Sequence, residues 1–75
     1  MSKPEAWLYE EYDTNGKLRA RHVWNLLPND LSYLNKLKDV GHVEISALDK
    51  VGKSIVFDKE NKYNSKKLTE AFGGL

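Results

Sequence analysis

The chain has 75 residues and no cysteine, with 12 lysines and arginines against 11 aspartates and glutamates. This length predicts one domain, residues 1–75, whose core is too small to enclose a cofactor together with a substrate. The composition excludes a disulfide framework, a thiol nucleophile and a cysteine-based zinc site, and a net charge of +1 argues against a strongly basic nucleic-acid binder. The N-terminal residues lack the apolar region of a secretory leader, and no apolar run reaches the roughly 18 residues that cross a bilayer, so we expect a cytoplasmic protein without membrane association.

Residues 6–24 have the pattern of a β-hairpin that turns at Asn15-Gly16, because a tight two-residue turn requires positive φ and these residues tolerate it best. Counting outward from the turn pairs Asp13 with Leu18, Tyr12 with Arg19, Glu11 with Ala20, Glu10 with Arg21, Tyr9 with His22, Leu8 with Val23 and Trp7 with Trp24. Aromatic pairs and opposite charges across strands contribute roughly 0.2–1 kcal/mol each. A shift of one residue would separate the tryptophans and break the Glu10–Arg21 pair.

Side chains alternate along a strand, so the hairpin has two surfaces. One surface carries Trp7, Tyr9, Leu18, Ala20, His22 and Trp24. If the tryptophans face the core, an apolar strip lies on the opposite surface. This strip consists of Leu8, Tyr12 and Val23, and it is rimmed by Glu10, Arg19 and Arg21. The alternative is that a helix covers each face of the sheet.

Leu31, Leu34 and Leu37 recur at a spacing that favours one apolar side of a short helix at about residues 30–40. Asn29 is the expected N-cap of this helix. Gly41 is its expected C-cap.

Two further strands follow, because residues 42–48 alternate and residues 54–57 form a β-branched and aromatic run. The intervening residues contain the glycine typical of a hairpin connection. A polar loop over residues 58–65 then leads to a last helix over about residues 65–72, which Asn64 or Ser65 can cap. The apolar side of this helix carries Leu68, Ala71 and Phe72.

The element order β-β-α-β-β-α predicts an α+β fold, a small two-layer domain in which an antiparallel sheet packs against one or two short helices. An alternative is a winged-helix-like arrangement, with residues 30–40 as recognition helix and the second hairpin as wing. That fold normally requires more helices before the wing than this chain supplies.

The sequence contains few candidates for catalysis. His22 and His42 are the only histidines, and neither has the spacing that would link it to a nucleophile or a metal ion. Glu10 and Glu11 are neighbours on a strand, so they point to opposite faces and cannot act as an acid–base pair. We therefore expect no enzymatic activity, no cofactor and no metal site.

Two tryptophans and four tyrosines in so short a chain concentrate the residue types of protein interfaces. They favour a protein-binding module whose partner is a foreign protein or a second copy of the chain. The candidate partner-binding residues are Leu8, Tyr12, Arg19, Arg21 and Val23. The alternative is a nucleic-acid-binding protein, in which the hairpin arginines and Tyr12 stack on bases. It would also use the lysines Lys59, Lys62, Lys66 and Lys67.

The segment Pro4-Glu5-Ala6-Trp7-Leu8-Tyr9-Glu10, followed by a turn and a strand, resembles the start of small accessory proteins of tailed phages and prophages. These often begin with Pro-x-Ala-Trp-x-Tyr. Many also contain a later Val-x-Pro-Leu-Tyr segment, from which Val43-Glu44-Ile45-Ser46-Ala47-Leu48 departs by lacking the proline and tyrosine. The resemblance implies a phage-encoded modulator that binds a host protein in the host cytoplasm, and it transfers no catalytic residue.

Overall fold

The computed structural model describes residues 4–28 and 30–72. Its four strands are β1 (Trp7–Asp13), β2 (Leu18–Trp24), β3 (Val40–Ala47) and β4 (Ser54–Asp58). They form one antiparallel sheet in the order β2-β1-β3-β4. A short 3-10 helix, Ser32–Lys36, connects β2 to β3, and one α-helix, α1 (Ser65–Phe72), follows β4. The α+β class is as predicted, but the order β-β-α-β-β-α is wrong at its third element.

One side of the sheet, the core face, packs against both helical segments. Its strand residues are Trp7, Tyr9, Val43, Ile45, Ala47 and Phe57, and Leu31, Tyr63 and Leu68 close the core over them. Leu31 and Ile45 are fully buried, and burying such a side chain contributes about 1.5–3 kcal/mol. Because Leu31 and Leu68 belong to the same core, the alternative with a helix on each face of the sheet is wrong.

The first hairpin turns through a three-residue loop, residues 14–16, rather than through two residues. The amide of Gly16 donates to the main-chain oxygen of Asp13 (3.0 Å), and the amide of Asp13 donates to that of Lys17 (2.9 Å). Gly16 has φ of 82°, whereas Asn15 does not adopt positive φ. These features are typical of a type I turn followed by a left-handed glycine. The Asp13 carboxylate holds the turn by accepting from the amides of Asn15 and Lys17.

A bulge at Arg19 compensates for the longer loop. Tyr12 pairs with Leu18, so the predicted pairs of Asp13 with Leu18 and of Tyr12 with Arg19 are wrong. The pairs further from the turn are confirmed: Glu11 with Ala20, Glu10 with Arg21, Tyr9 with His22, Leu8 with Val23 and Trp7 with Trp24. A bulge leaves one residue without a partner and redirects its neighbours, so Leu18 changes face and the Trp7–Trp24 pairing is preserved.

The predicted α-helix over residues 30–40 is wrong, as is its C-cap at Gly41. The helical segment is a 3-10 helix that ends at Lys36, and Gly41 lies inside β3. The expected N-cap, Asn29, lies outside the described residues. A three-residue spacing between leucines suits the three-residue turn of a 3-10 helix, which brings Leu31 and Leu34 to the core.

The second half of the chain follows the prediction more closely. Strands β3 and β4 pair as an antiparallel hairpin, and α1 has the predicted bounds. The Asn64 carboxamide oxygen accepts from the amide of Lys67 (2.9 Å), as in an N-cap. Within the predicted polar loop, Tyr63 is buried. The Asn35 side chain holds it there by bonding both its main-chain oxygen (3.2 Å) and its amide (3.1 Å).

Candidate protein-binding face

The side of the sheet opposite the core face is called the outer face here, and its residues form three rows across the strands. From β2 to β4 the first row is Val23, Leu8, Ser46 and Ser54. The second row is Arg21, Glu10, Glu44 and Val56, and the third row is Leu18, Tyr12, His42 and Asp58. Both helical segments lie on the core face, so neither covers these rows.

The apolar strip predicted from the hairpin lies on this face. Leu8 is opposite Val23 across β1 and β2, and Tyr12 lies further along β1. Val23 is 60% exposed and Leu18 is 46% exposed. Leu8 and Tyr12 are half-buried, so the exposed apolar side chains of the first hairpin on this face are those of β2.

An ion pair crosses the strip. Arg21 Nη2 lies 2.8 Å from Glu10 Oε2, and Arg21 Nε donates to the same oxygen at 3.1 Å. Glu10 is only 8% exposed, while 59% of the Arg21 side chain is exposed. Buried carboxylates are tolerated when they are paired, so Arg21 neutralises Glu10 while much of its own side chain stays exposed to solvent.

Arg19 does not rim the outer face, so its predicted place beside Tyr12 is wrong. The bulge directs it to the core face, where Arg19 Nε lies 3.4 Å from Glu11 Oε2. Its Nη1 donates to the main-chain oxygens of Lys38 (3.0 Å) and Asp39 (3.2 Å). Arg19 therefore connects the first hairpin to the segment that precedes β3.

A tyrosine joins this arrangement on the core face. The Tyr9 hydroxyl donates to Glu11 Oε1 at 2.7 Å. Burial raises the pKa of Tyr9 far above its usual value, and this hydrogen bond is the second-largest cause of the increase. Glu11 is thus shared between a neutral phenol and the Arg19 guanidinium, and this polar cluster has a structural role.

On the outer face, Tyr12 stacks on His42 with ring centroids 4.5 Å apart and planes inclined by 11°. Burial raises the pKa of Tyr12, and the carboxylates of Glu10 and Glu44 raise it further. The phenol therefore lies in the field of two carboxylates. Sequence reasoning missed His42 and Glu44 as members of this face. The alternation of β3 indicates their direction, but only the pairing of β3 with β1 places them beside Tyr12.

The lysines considered for nucleic-acid binding do not act alike. Lys59 and Lys62 line a groove of about 250 Å³ beside the 3-10 helix, together with Leu37 and Phe57. The ammonium group of Lys67 donates instead to Asn61 Oδ1 (2.5 Å) and to the main-chain oxygen of Lys62 (3.2 Å). At least one of the four lysines, Lys67, thus uses its ammonium group for hydrogen bonds within the protein.

Within residues 4–28 and 30–72, no three acidic or histidine side chains gather closely enough to hold a metal ion. Neither helical segment in those ranges has the length and apolar composition needed to cross a bilayer. Comparisons with protein-family models, curated proteins and solved structures found no match to this chain.

Proposed function

We propose that the chain is a non-enzymatic module that binds another protein stoichiometrically through the outer face of its sheet. The observation that carries this proposal is a sheet face that neither helical segment covers, on which Leu8 and Val23 lie on one side of the Arg21–Glu10 ion pair and Tyr12 lies on the other. Apolar area in water costs about 25 cal/mol per Å², and aromatic and apolar side chains surrounded by polar groups are typical of interface hot spots.

The resemblance of residues 4–10 to phage accessory proteins supports a more specific form of this proposal. The chain would then be encoded by a phage or prophage and would modulate a host protein in the host cytoplasm. A modulator of this kind acts by occupying a surface of its target, which requires a rigid face and no catalytic residues. The four-stranded sheet supplies such a face.

Nucleic-acid binding is the second candidate, and the stacked rings of Tyr12 and His42 favour it. The charges oppose it, since both hairpin arginines are paired with carboxylates, Arg19 with Glu11 and Arg21 with Glu10. Sheets that bind single strands combine exposed aromatic rings with free positive charge along the backbone path. The outer face lacks that excess of positive charge, so we rank protein binding first.

Capture experiments with two matched double variants test the proposal. Tyr12→Ala with Val23→Ser removes an aromatic and an apolar side chain from the outer face. Tyr33→Ala with Val51→Ser removes the same residue types from exposed positions elsewhere, at 48% and 81% exposure. We expect the outer-face pair to weaken binding of a protein captured from bacterial lysate by about 1–3 kcal/mol, as hot-spot truncations do, and the control pair to leave it unchanged.

Affinities are measured by calorimetry with the captured protein, after circular dichroism shows that both variants fold. Equal affinity of the outer-face pair and the parent would place the interface elsewhere and overturn the proposal. Capture that disappears on nuclease treatment, together with affinity that falls steeply with salt, would favour nucleic-acid binding instead.

A further inference from the structure

Glu44 lies near the centre of the outer face. It is opposite Glu10 on β1 and opposite Val56 on β4. Like charges directly opposite each other destabilise a sheet, and Arg21 offsets the charge of Glu10 only. Across the described ranges, no hydrogen bond or ion pair reaches the Glu44 carboxylate. Among the residues that the structure describes, the carboxylate at the centre of the face therefore has no ion-pair partner.

Aromatic groups stand beside this carboxylate. The stacked Tyr12 and His42 rings lie in the neighbouring row, where burial and then the carboxylates of Glu10 and Glu44 raise the pKa of Tyr12. A carboxylate next to an aromatic ring suits a guanidinium or ammonium group, because the carboxylate accepts its hydrogen bonds and the ring attracts its charge.

The balance of charge over the outer face distinguishes between two kinds of partner, a second copy of the chain and a basic segment of another protein. The three rows carry the acids Glu10, Glu44 and Asp58 against the single base Arg21. A second copy would bring two faces with an excess of negative charge together, whereas a basic segment would complement the face. We infer that the partner contributes an arginine or lysine side chain to Glu44, beside Tyr12 and His42, from a basic segment laid across the outer face. This inference rests on the proposed function.

The probe is a short synthetic peptide that alternates arginine and valine, titrated into the full-length ¹⁵N-labelled chain. Its matched control carries citrulline, an uncharged analogue of arginine, at each arginine position. We expect amide shifts on β1 and β3 with the arginine peptide and not with the citrulline peptide. Glu44→Gln should weaken peptide binding about tenfold, the scale of one charge-assisted hydrogen bond. Glu70→Gln, which removes the same charge from α1, should leave it unchanged.

The inference is overturned if the arginine peptide does not bind, binds no better than the citrulline peptide, or shifts amides away from the outer face. Sedimentation provides a separate check: a dimer that Glu44→Gln strengthens would make a second copy the occupant and overturn the inference. If the double variant with Tyr12→Ala and Val23→Ser no longer binds the captured protein but Glu44→Gln still binds it, this inference is overturned. The proposed function then stands. Retention by the Tyr12 and Val23 pair would overturn the proposed function.

Discussion

Glu10 is a nearly buried carboxylate on a face that neither helical segment covers, and this is possible because Arg21 lies over it. The guanidinium donates twice to one oxygen of Glu10, and its aliphatic stem can cover apolar surface as long side chains commonly do. At the scale of single residues, Arg21 therefore pairs with the buried carboxylate of Glu10 and also exposes its own positive charge to solvent.

Removing Arg21 should therefore cost more than removing an exposed arginine. We expect Arg21→Ala to lower the free energy of unfolding by about 1–2 kcal/mol, less than for a fully buried pair because Arg21 is largely exposed. Adding Glu10→Gln to Arg21→Ala should recover much of this loss, since position 10 then no longer holds a buried carboxylate without a partner. Urea unfolding measures both, and a double variant no more stable than Arg21→Ala would contradict the explanation.

At the scale of elements, the main feature is the close approach of β3 to the end of β1. A Cβ atom built on Gly41 would lie 2.6 Å from the main-chain oxygen of Asp13, so only glycine fits there without movement of the backbone. The register of β1 against β3 shifts between Tyr12 and Asp13, where Asp13 pairs with Val40. Gly41 thus serves strand packing, and the expected helix cap was the wrong explanation for this glycine.

Gly41→Ala should destabilise the protein by about 2–3 kcal/mol, because the contact is with main chain and cannot be relieved by a side-chain rotation. Gly52→Ala is the comparison, since Gly52 has positive φ but open space around its Cα. Its cost should be only that of the left-handed conformation, about 1 kcal/mol. Chemical denaturation ranks the two variants, and equal losses would argue against the steric explanation.

At the scale of the whole molecule, Arg19 links parts that are far apart in sequence. It joins β2 to the main chain of Lys38 and Asp39, and Asp39 adopts φ of 62° just before β3 begins. The first hairpin is therefore attached to the 3-10 helix region by side-chain bonds as well as through the sheet. This attachment depends on the bulge, which directs Arg19 towards the core face.

Arg19→Met keeps the aliphatic stem and removes these bonds. We expect amides over residues 34–40 to exchange with solvent several-fold faster, while amides of the central strands β1 and β3 keep their protection. The global loss should be about 1 kcal/mol, because the guanidinium is half exposed. Lys17→Met removes the same charge next to β2 and serves as control in the hydrogen-exchange measurement. Equal exchange in the two variants would show that Arg19 does not hold this segment.

Much of the outer face could be read from the first hairpin alone. The pairings from Trp7–Trp24 to Glu11–Ala20 follow from residues close together in sequence, and they place Leu8, Tyr12, Arg21 and Val23 on one side. A two-residue loop and a regular strand would place Arg19 on that side as well, whereas the observed loop and bulge direct it to the core face. The three-residue loop shifts the pairing of β1 with β2, and the bulge shifts it back. The predicted pairing is therefore wrong only for the residues between the loop and the bulge.

The amino-acid sequence by itself determined the local elements: the first hairpin, the second hairpin, α1 and the side of each strand that is apolar. The alternation of apolar residues along a strand and the capping of a helix depend on residues that are close together in sequence. Both can therefore be recognised from the sequence pattern. Only the tertiary structure decided that β3 lies beside β1, which brings Glu44 to Glu10 and His42 to Tyr12. It also decided that residues 32–36 form a 3-10 helix, since β3 takes Val40 and Gly41 into the sheet and leaves too little chain for the longer helix.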